Sequence, residues 1–116
     1  MKINKDLTTW TPGERLWLWR RARGLTGRQA AARLGLGRNA FWAMEGGQRP
    51  PVPKANGVAP NLPLLLQLAR RRAGAGLRGT AARLGVTHPT LLAMERAGAP
   101  RLQEWWEKRG FVFPQD

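Results

Sequence analysis

Cysteine is absent from the 116 residues, and His88 is the only histidine. The first absence excludes disulfides and thiolate metal sites. A single histidine cannot hold a metal ion alone, so we expect no metal. The seven Asp and Glu residues are scattered, and no glycine-rich pattern follows a strand. Because these residues assemble no catalytic set, we expect neither an enzyme nor a bound cofactor.

Long apolar runs are missing as well. No segment approaches the ~20 consecutive apolar residues of a membrane-spanning helix. The first residues, Met1–Asp6, lack the apolar core of a signal peptide. We therefore expect no contact with a membrane and a cytoplasmic location. Apolar residues make up 42% of the chain, which is typical of a globular protein rather than a disordered one. The length suits one compact domain or two very small ones.

The shortage of acids leaves a strongly basic chain. Twenty Lys and Arg residues against seven Asp and Glu give a formal net charge of +13. Two long segments, Arg15–Met44 and Gly46–Met94, each carry seven basic residues and no acid. A GC-rich genome would explain the preference for Arg over Lys, but not the lack of acids. The charge therefore predicts a polyanionic partner, with nucleic acid as the leading candidate.

An internal repeat organises the chain. Aligning residues 16–50 with 66–100 without a gap gives 15 identities in 35 positions. Ala31–Gly35 returns as Ala81–Gly85, and the triplet Ala-Met-Glu ending at Glu45 returns at Glu95. Such self-similarity indicates two copies of one structural unit.

Three segments lie outside the repeats. Residues 1–10 form a polar arm with Lys2 and Lys5, which is either disordered or follows a DNA groove; we expect disorder. Residues 50–61 form a linker rich in Pro and Gly, a semi-stiff spacer. Residues 111–116 form a short extended tail, in which Phe111–Phe113 either packs on the core or adds a strand to a partner.

Repeat one, residues 11–49, should contain three helices. Capping boxes start the first two, with Thr11 paired to Glu14 and Thr26 to Gln29. A glycine at position 35 turns the chain into the third helix. The expected helices run from Thr11 to about Arg23, from Thr26 to about Leu34, and from Arg38 to Glu45. On the third helix, spacing points Phe41 and Met44 inward and leaves Gly37, Arg38, Asn39 and Trp42 outside.

Repeat two, residues 62–110, should contain four helices. The first is apolar on two sides, which is typical of a sandwiched helix. We expect it to serve both repeats. The predicted fold is therefore all-α: tandem helix-turn-helix repeats fused through a shared central helix, with a short extended C-terminal tail. The four expected helices are Leu62–Arg72, Leu77–Leu84, Thr87–Glu95 and Pro100–Arg109.

Residues 16–47 resemble the phage repressor/Cro-type (XRE-type) helix-turn-helix family. The resemblance rests on Arg-Gly-Leu-Thr at 23–26, Ala-Ala-Arg-Leu-Gly at 31–35 and Phe-x-x-Met-Glu at 41–45. The second copy matches through residues 81–87 and 91–96. It departs at residues 74–77, where the usual Thr cap is missing, and it also lacks the Gln. The resemblance implies DNA-binding repeats that cover nearly all of residues 14–109.

The resemblance also implies which side chains touch double-stranded DNA. The helix at 38–45 would lie in the major groove, where Arg38 suits guanine and Asn39 suits adenine. For Trp42, a thymine-methyl contact and a packing or dimer role stay open. Thr87, His88 and Thr90 take the corresponding places in repeat two. Phosphate contacts are expected from Thr26, Arg28, Gln29 and Arg78.

One further pair of residues has an open role. Arg33 and Arg83 recur at the same repeat position. They either pair with Glu45 and Glu95 as a structural framework or touch DNA.

The leading hypothesis is a sequence-specific transcriptional regulator, a repressor of a phage, plasmid or other mobile element. One alternative is a protein-interaction regulator, such as an antiactivator, built on the same repeats and using spare apolar residues. Another is an RNA-binding regulator whose exposed Trp stacks on unpaired bases. Trp17, Leu18 or Trp106 could also form a homodimer contact; packing within the chain explains them equally well.

Overall fold

The computed structural model describes residues 3–48 and 60–115. These ranges contain seven α-helices and one isolated β-bridge, which confirms the all-α prediction. Lys2 and residues 50–59 of the predicted linker lie outside the described residues. The helices are α1 Pro12–Ala22, α2 Gly27–Arg33, α3 Arg38–Glu45, α4 Leu62–Arg72, α5 Leu77–Leu84, α6 His88–Ala97 and α7 Pro100–Glu107.

Contacts divide the chain into two compact units. The first unit is Trp10–Pro60, and the second unit combines Met1–Thr9 with Asn61–Asp116. The first nine residues therefore belong with the C-terminal half. The repeat boundaries proposed from sequence, 11–49 and 62–110, stay predictions.

Local signals start the helices of the first unit as expected. The Thr11 hydroxyl accepts a hydrogen bond from the Glu14 amide at 3.1 Å, and the Glu14 carboxylate accepts one from the Thr11 amide at 2.9 Å. Thr26 and Gln29 make the same reciprocal pair at 3.1 and 2.9 Å. Both predicted capping boxes are confirmed. Gly35 turns the chain towards α3 with a φ of +69°, a conformation that glycine tolerates best.

The core of the first unit forms where its three helices meet. Its fully or nearly buried members come from all three, and partly buried leucines and Met44 pack around them. The buried members are Leu16, Trp19, Ala30, Ala31 and Phe41. At one edge, a Cβ added to Gly13 would lie 2.7 Å from the carbonyl oxygen of Glu45. The start of α1 therefore passes close to the end of α3 without room for a side chain.

A buried arginine–glutamate pair recurs in both units. In the first, the Arg20 Nε and Nη2 atoms donate to the two carboxylate oxygens of Glu45 at 2.9 and 3.1 Å. In the second, the same atoms of Arg70 donate to Glu95 at 2.8 and 3.3 Å. Glu45 is 8% exposed and Glu95 only 1%.

These pairs exclude one of the two alternatives left open for Arg33 and Arg83. Arg33 and Arg83 are not the framework partners of Glu45 and Glu95, because Arg20 and Arg70 take that place. Arg33 and Arg83 are exposed on their helices and make no ion pair within residues 3–48 and 60–115. The side chains that face the glutamates are set by how α1 and α4 pack, which the repeat alone does not reveal.

Helix α4 lies in the second unit, where it contacts α6 and α7. Both of its predicted apolar sides are buried, as expected for a sandwiched helix. The buried residues are Leu64, Leu65, Leu66, Leu68 and Ala69. The idea that α4 fuses the two repeats stays a prediction.

Residues 3–10 of the N-terminal arm are ordered, so the expectation of disorder is wrong for them. Leu7 is fully buried, and its amide donates to the carbonyl of Val112 at 2.8 Å. The Val112 amide donates back to the Lys5 carbonyl at 2.8 Å, which forms a parallel bridge. Arg72 adds hydrogen bonds to three carbonyls of the arm, those of Asn4, Asp6 and Thr9.

The same contacts settle the role of the tail. Phe111 and Phe113 are buried at 4% and 3% exposure, and Val112 pairs with the arm. The tail therefore packs on the core of its own chain. This pairing is intramolecular and is limited to a single bridge.

The candidate dimer residues are buried. Trp17 is 6% exposed, Leu18 1% and Trp106 3%. Burial to this degree leaves them little surface to offer a second copy, so the structure favours packing within the chain. None of the helices in the described ranges is both long and apolar enough to cross a bilayer.

Replacing Glu95 with alanine should lower the free energy of unfolding by about 3–5 kcal/mol, because it leaves the Arg70 guanidinium partly buried without its counter-charge. Urea unfolding followed by circular dichroism measures the change. Glu104→Ala, on the exposed side of α7, is the matched control and should change stability little. Equal effects of the two substitutions would contradict the assigned role of the pair.

Candidate nucleic-acid interface

The N-terminal part of α3 presents a polar face to solvent. Arg38 and Asn39 are exposed, and Trp42 is 57% exposed. Phe41, between them in sequence, is buried at 1% and anchors the helix in the core. The predicted inward and outward sides of α3 are thus observed. An exposed helix face of this kind has the dimensions that the major groove admits.

Trp42 lies against the start of α2. A Cβ built on Gly27 would be 3.3 Å from Cζ2 of the indole and 3.6 Å from Cε2. The indole therefore covers the backbone of α2 on one side while its remaining surface faces solvent. This contact brings the exposed residues of α3 and the first turn of α2 into one surface. Packing is thus part of the role of Trp42, and its open side remains available for a ligand.

The first turn of α2 supplies the predicted phosphate-binding side chains. Arg28 is exposed and makes no ion pair within the described ranges. The capping box uses acceptor positions of Thr26 and Gln29. The Thr26 hydroxyl hydrogen and the Gln29 amide NH₂ are left as donors, which is the type that phosphate oxygens require.

Both carboxylates of the first unit are used internally. Within Trp10–Pro60, Glu14 and Glu45 are the only acids in the sequence. Glu14 accepts from the Thr11 amide, and Glu45 is paired with Arg20. The arginines at 15, 21, 23, 28, 33 and 38 are all exposed. The surface of this unit is therefore strongly positive, and its two carboxylates neutralise little of that positive charge.

The second unit repeats the helix arrangement with different exposed side chains. Gly85 makes the turn with a φ of +81°. Thr87, His88 and Thr90 are exposed at the start of α6, as predicted. The Thr87 hydroxyl caps the Thr90 amide at 3.4 Å and donates to the Thr90 hydroxyl at 2.9 Å. Arg78 is exposed on α5. The Thr87 hydroxyl hydrogen is used by its bond to Thr90, while the Thr90 hydroxyl keeps its own hydrogen as a donor. His88 is the largest of the three exposed side chains at the start of α6.

The predicted site residues fall into two sets, one in each unit. Arg38, Asn39, Trp42 and the α2 residues share the first unit; Arg78 and the α6 residues share the second. Their contacts with DNA stay predictions. Sequence reasoning missed Arg20 and Arg70, which position the third helix of each repeat through its final glutamate. Their identity across the repeat, at the same 50-residue offset as Glu45 and Glu95, is the signal that would have found them.

A family model described as a helix-turn-helix domain matches residues 13–57. The match covers α1, α2 and α3 and therefore all candidate contacts of the first unit. Neither a curated protein nor a solved structure shows significant similarity to the chain. The similarity to a helix-turn-helix domain suggests a DNA-binding regulator.

Helix α5 lacks the side-chain cap that its counterpart α2 has. Gly76 precedes α5 with φ and ψ of −73° and 163°, almost the angles of Thr26, and makes no side-chain cap. A Cβ at Gly76 or at Gly79 meets no atom within 4 Å. Gly76→Thr with Gly79→Gln should install the capping box of α2 and stabilise the protein by about 1–2 kcal/mol.

Chemical denaturation measures that gain. Gly76→Ala with Gly79→Gln is the control, because it adds the same helix-favouring residue without a cap hydroxyl. The free energy of unfolding should be about 1 kcal/mol larger for the variant with Thr at position 76 than for this control with Ala. A control as stable as the Thr variant would show that the cap is not formed.

Proposed function

We propose that the chain is a sequence-specific regulator that binds double-stranded DNA and represses transcription, of the type carried by phages and mobile elements. The observation that carries the proposal is the surface of α2 and α3 in the first unit. On this surface, exposed Arg38, Asn39 and Trp42 lie together with hydrogen-bond donors at the start of α2 that are suited to phosphate oxygens. The match of residues 13–57 to a helix-turn-helix domain and the resemblance of residues 16–47 to the repressor/Cro type support the same reading.

In the proposed mode of binding, α3 enters the major groove. Arg38 donates two hydrogen bonds to guanine O6 and N7, and Asn39 pairs with adenine N6 and N7. The open side of Trp42 contacts a thymine methyl group. Thr26, Arg28 and Gln29 bind the phosphates beside the groove and fix the register. Repression then follows when the occupied site overlaps a promoter.

The two units would contribute unequally. Arg38 and Asn39 each offer a bidentate contact, worth about 1–3 kcal/mol of discrimination. In the second unit, Thr87, His88 and Thr90 take the base-contact places with short or weakly discriminating side chains, and Arg78 is the phosphate candidate. The first unit therefore sets base specificity, and the second adds phosphate contacts and weaker readout. With two repeats in one chain, a direct or asymmetric site is expected rather than a short palindrome.

Single-stranded RNA is the second candidate ligand. Trp42 is 57% exposed beside Arg28 and Arg38, and an exposed aromatic ring among cations suits stacking on an unpaired base. The protein-interaction alternative has less support. Of the apolar side chains that motivated it, Trp17, Leu18 and Trp106 are buried, and only Trp42 remains exposed.

Arg38→Ala with Asn39→Ala should weaken binding to the duplex most enriched from a random pool by about 10²–10⁴-fold, because two bidentate contacts are lost. Binding to unselected duplex should fall far less. Fluorescence anisotropy measures both affinities. Arg15→Ala, an exposed arginine on α1, is the control for loss of charge alone. Each variant lowers the logarithm of the affinity for the selected duplex by some amount. If the decrease for the double variant were no more than about twice the decrease for Arg15→Ala, base readout by α3 would be excluded.

Salt dependence and competition separate duplex DNA from RNA. If about six to eight phosphates are neutralised, the logarithm of affinity for duplex should fall with the logarithm of salt concentration at a slope of about −5 to −7. Unlabelled duplex should displace the labelled duplex, while single-stranded RNA of equal length should not. A slope near zero, or displacement by RNA at lower concentration than by duplex, would refute the DNA assignment.

A further inference from the structure

The second unit contains a cavity of about 290 Å³ outside the candidate DNA-binding surface of the first unit. Its wall is built from the N-terminal arm, the segment around α5, and the end of α7 with the tail. This volume is at the lower end of the range for small-molecule pockets, and the cavity has room for a single aromatic ring with a short substituent. The residues that matter for its chemistry are Lys5, Arg83, Trp105, Trp106, Arg109 and Phe111.

The polar part of the wall is cationic. Lys5, Arg83 and Arg109 line the cavity, and within residues 3–48 and 60–115 no acidic side chain does. The nearest fixed contact of Lys5 is the carbonyl of Arg109, which its Nζ atom reaches at 2.6 Å. That bond brings the lysine ammonium beside the Arg109 backbone and leaves two of its three N–H groups for another acceptor. Three cations around one cavity repel one another, and a bound anion would relieve that repulsion.

The apolar part of the wall is aromatic. The Trp106 ring meets Trp105 edge-on at 4.8 Å between centroids and Phe111 at 5.1 Å. The Arg109 guanidinium lies 3.4 Å from the centroid of Trp105 and donates to the Trp105 carbonyl at 2.9 Å. Arg109 is therefore held in place before any ligand arrives. A flat ring is the shape that suits edge-on aromatic walls of this kind.

One buried donor in this wall has no acceptor. Trp106 is 3% exposed, and its indole nitrogen is buried without a hydrogen-bond partner within the described residues. Buried N–H groups are nearly always satisfied, and leaving one unpaired destabilises a protein. That nitrogen is closed off from the accessible space of the cavity, so it belongs to the packing around Trp106 and not to the surface that a ligand would touch.

We propose that this cavity is a binding site for a small aromatic carboxylate, a single ring whose carboxylate is held by Lys5 and Arg109 and whose ring packs on Trp105 and Ile3, the lining side chains with accessible apolar surface. The arm that forms one wall is already fastened by Arg72 and by the bridge between Asp6 and Val112. Ligand binding stabilises the folded state by mass action, so it is visible as an increase in the melting temperature.

Titration of the full chain with benzoate, followed by calorimetry and thermal unfolding, tests the site. We expect saturable binding of one benzoate per chain at millimolar concentration. Benzamide, which has the same shape without the charge, should bind at least about tenfold more weakly. Inorganic phosphate, which has the charge without the ring, should also bind more weakly. Equal affinity for all three probes, or no saturable binding of benzoate, would overturn the proposal.

Variants assign the binding to the cavity. Arg109→Gln and Lys5→Gln should each weaken benzoate binding about tenfold, since each removes one charge-assisted hydrogen bond. Arg101→Gln is the control, an exposed arginine on α7 that does not line the cavity. The melting temperature without ligand shows whether each variant is folded.

If Arg101→Gln weakened benzoate binding as much as Arg109→Gln, the ligand would not occupy this cavity. All of these measurements are made without nucleic acid. Their failure would therefore leave the proposed DNA binding untouched, and failure of DNA binding would leave this site intact.

Discussion

The arginine–glutamate pair at the end of the third helix in each repeat is the constraint on which both units depend. In the first unit, Arg20 in the last turn of α1 holds Glu45, the final residue of α3, with two hydrogen bonds. Its Nη1 atom also donates to the Leu25 carbonyl at 3.3 Å, in the segment that leads into α2. One side chain therefore ties together the end of α1, the approach to α2 and the end of α3. Because the carboxylate is nearly buried, losing either partner leaves an unpaired charge at a site with little access to water, which destabilises the fold.

That tie orients α3. With Glu45 fixed at one end and Phe41 in the core, Arg38, Asn39 and the open side of Trp42 are directed to solvent. The second unit keeps the same framework through Arg70 and Glu95, but its exposed side chains are different. The two repeats thus share the interactions that set the fold and differ in those that would touch a ligand. A shared scaffold with unequal surfaces is the physical basis for assigning them unequal roles.

Sequence patterns predicted the helices well because their ends carry local signals. The bounds of α4 and α5 agree with expectation to the residue, since Asn61 caps the first and Gly85 ends the second in a left-handed turn. The exposed and buried sides of α3 also follow from spacing alone. The order of the arm was missed because it depends on Val112 and Arg72, which are far away in sequence. The partner of Glu45 could not be identified for a similar reason, since only helix packing decides that Arg20 rather than Arg33 meets it.

The central claim is that the first unit reads base sequence and the second contributes little to it. The most direct test selects bound duplexes from a random pool with three proteins: the natural chain, Arg38→Ala with Asn39→Ala, and His88→Ala with Thr90→Ala. The account predicts a motif containing guanine and adenine positions for the natural chain, loss of those positions in the first variant, and the same motif in the second. A motif that survives the first variant and disappears in the second would contradict the account.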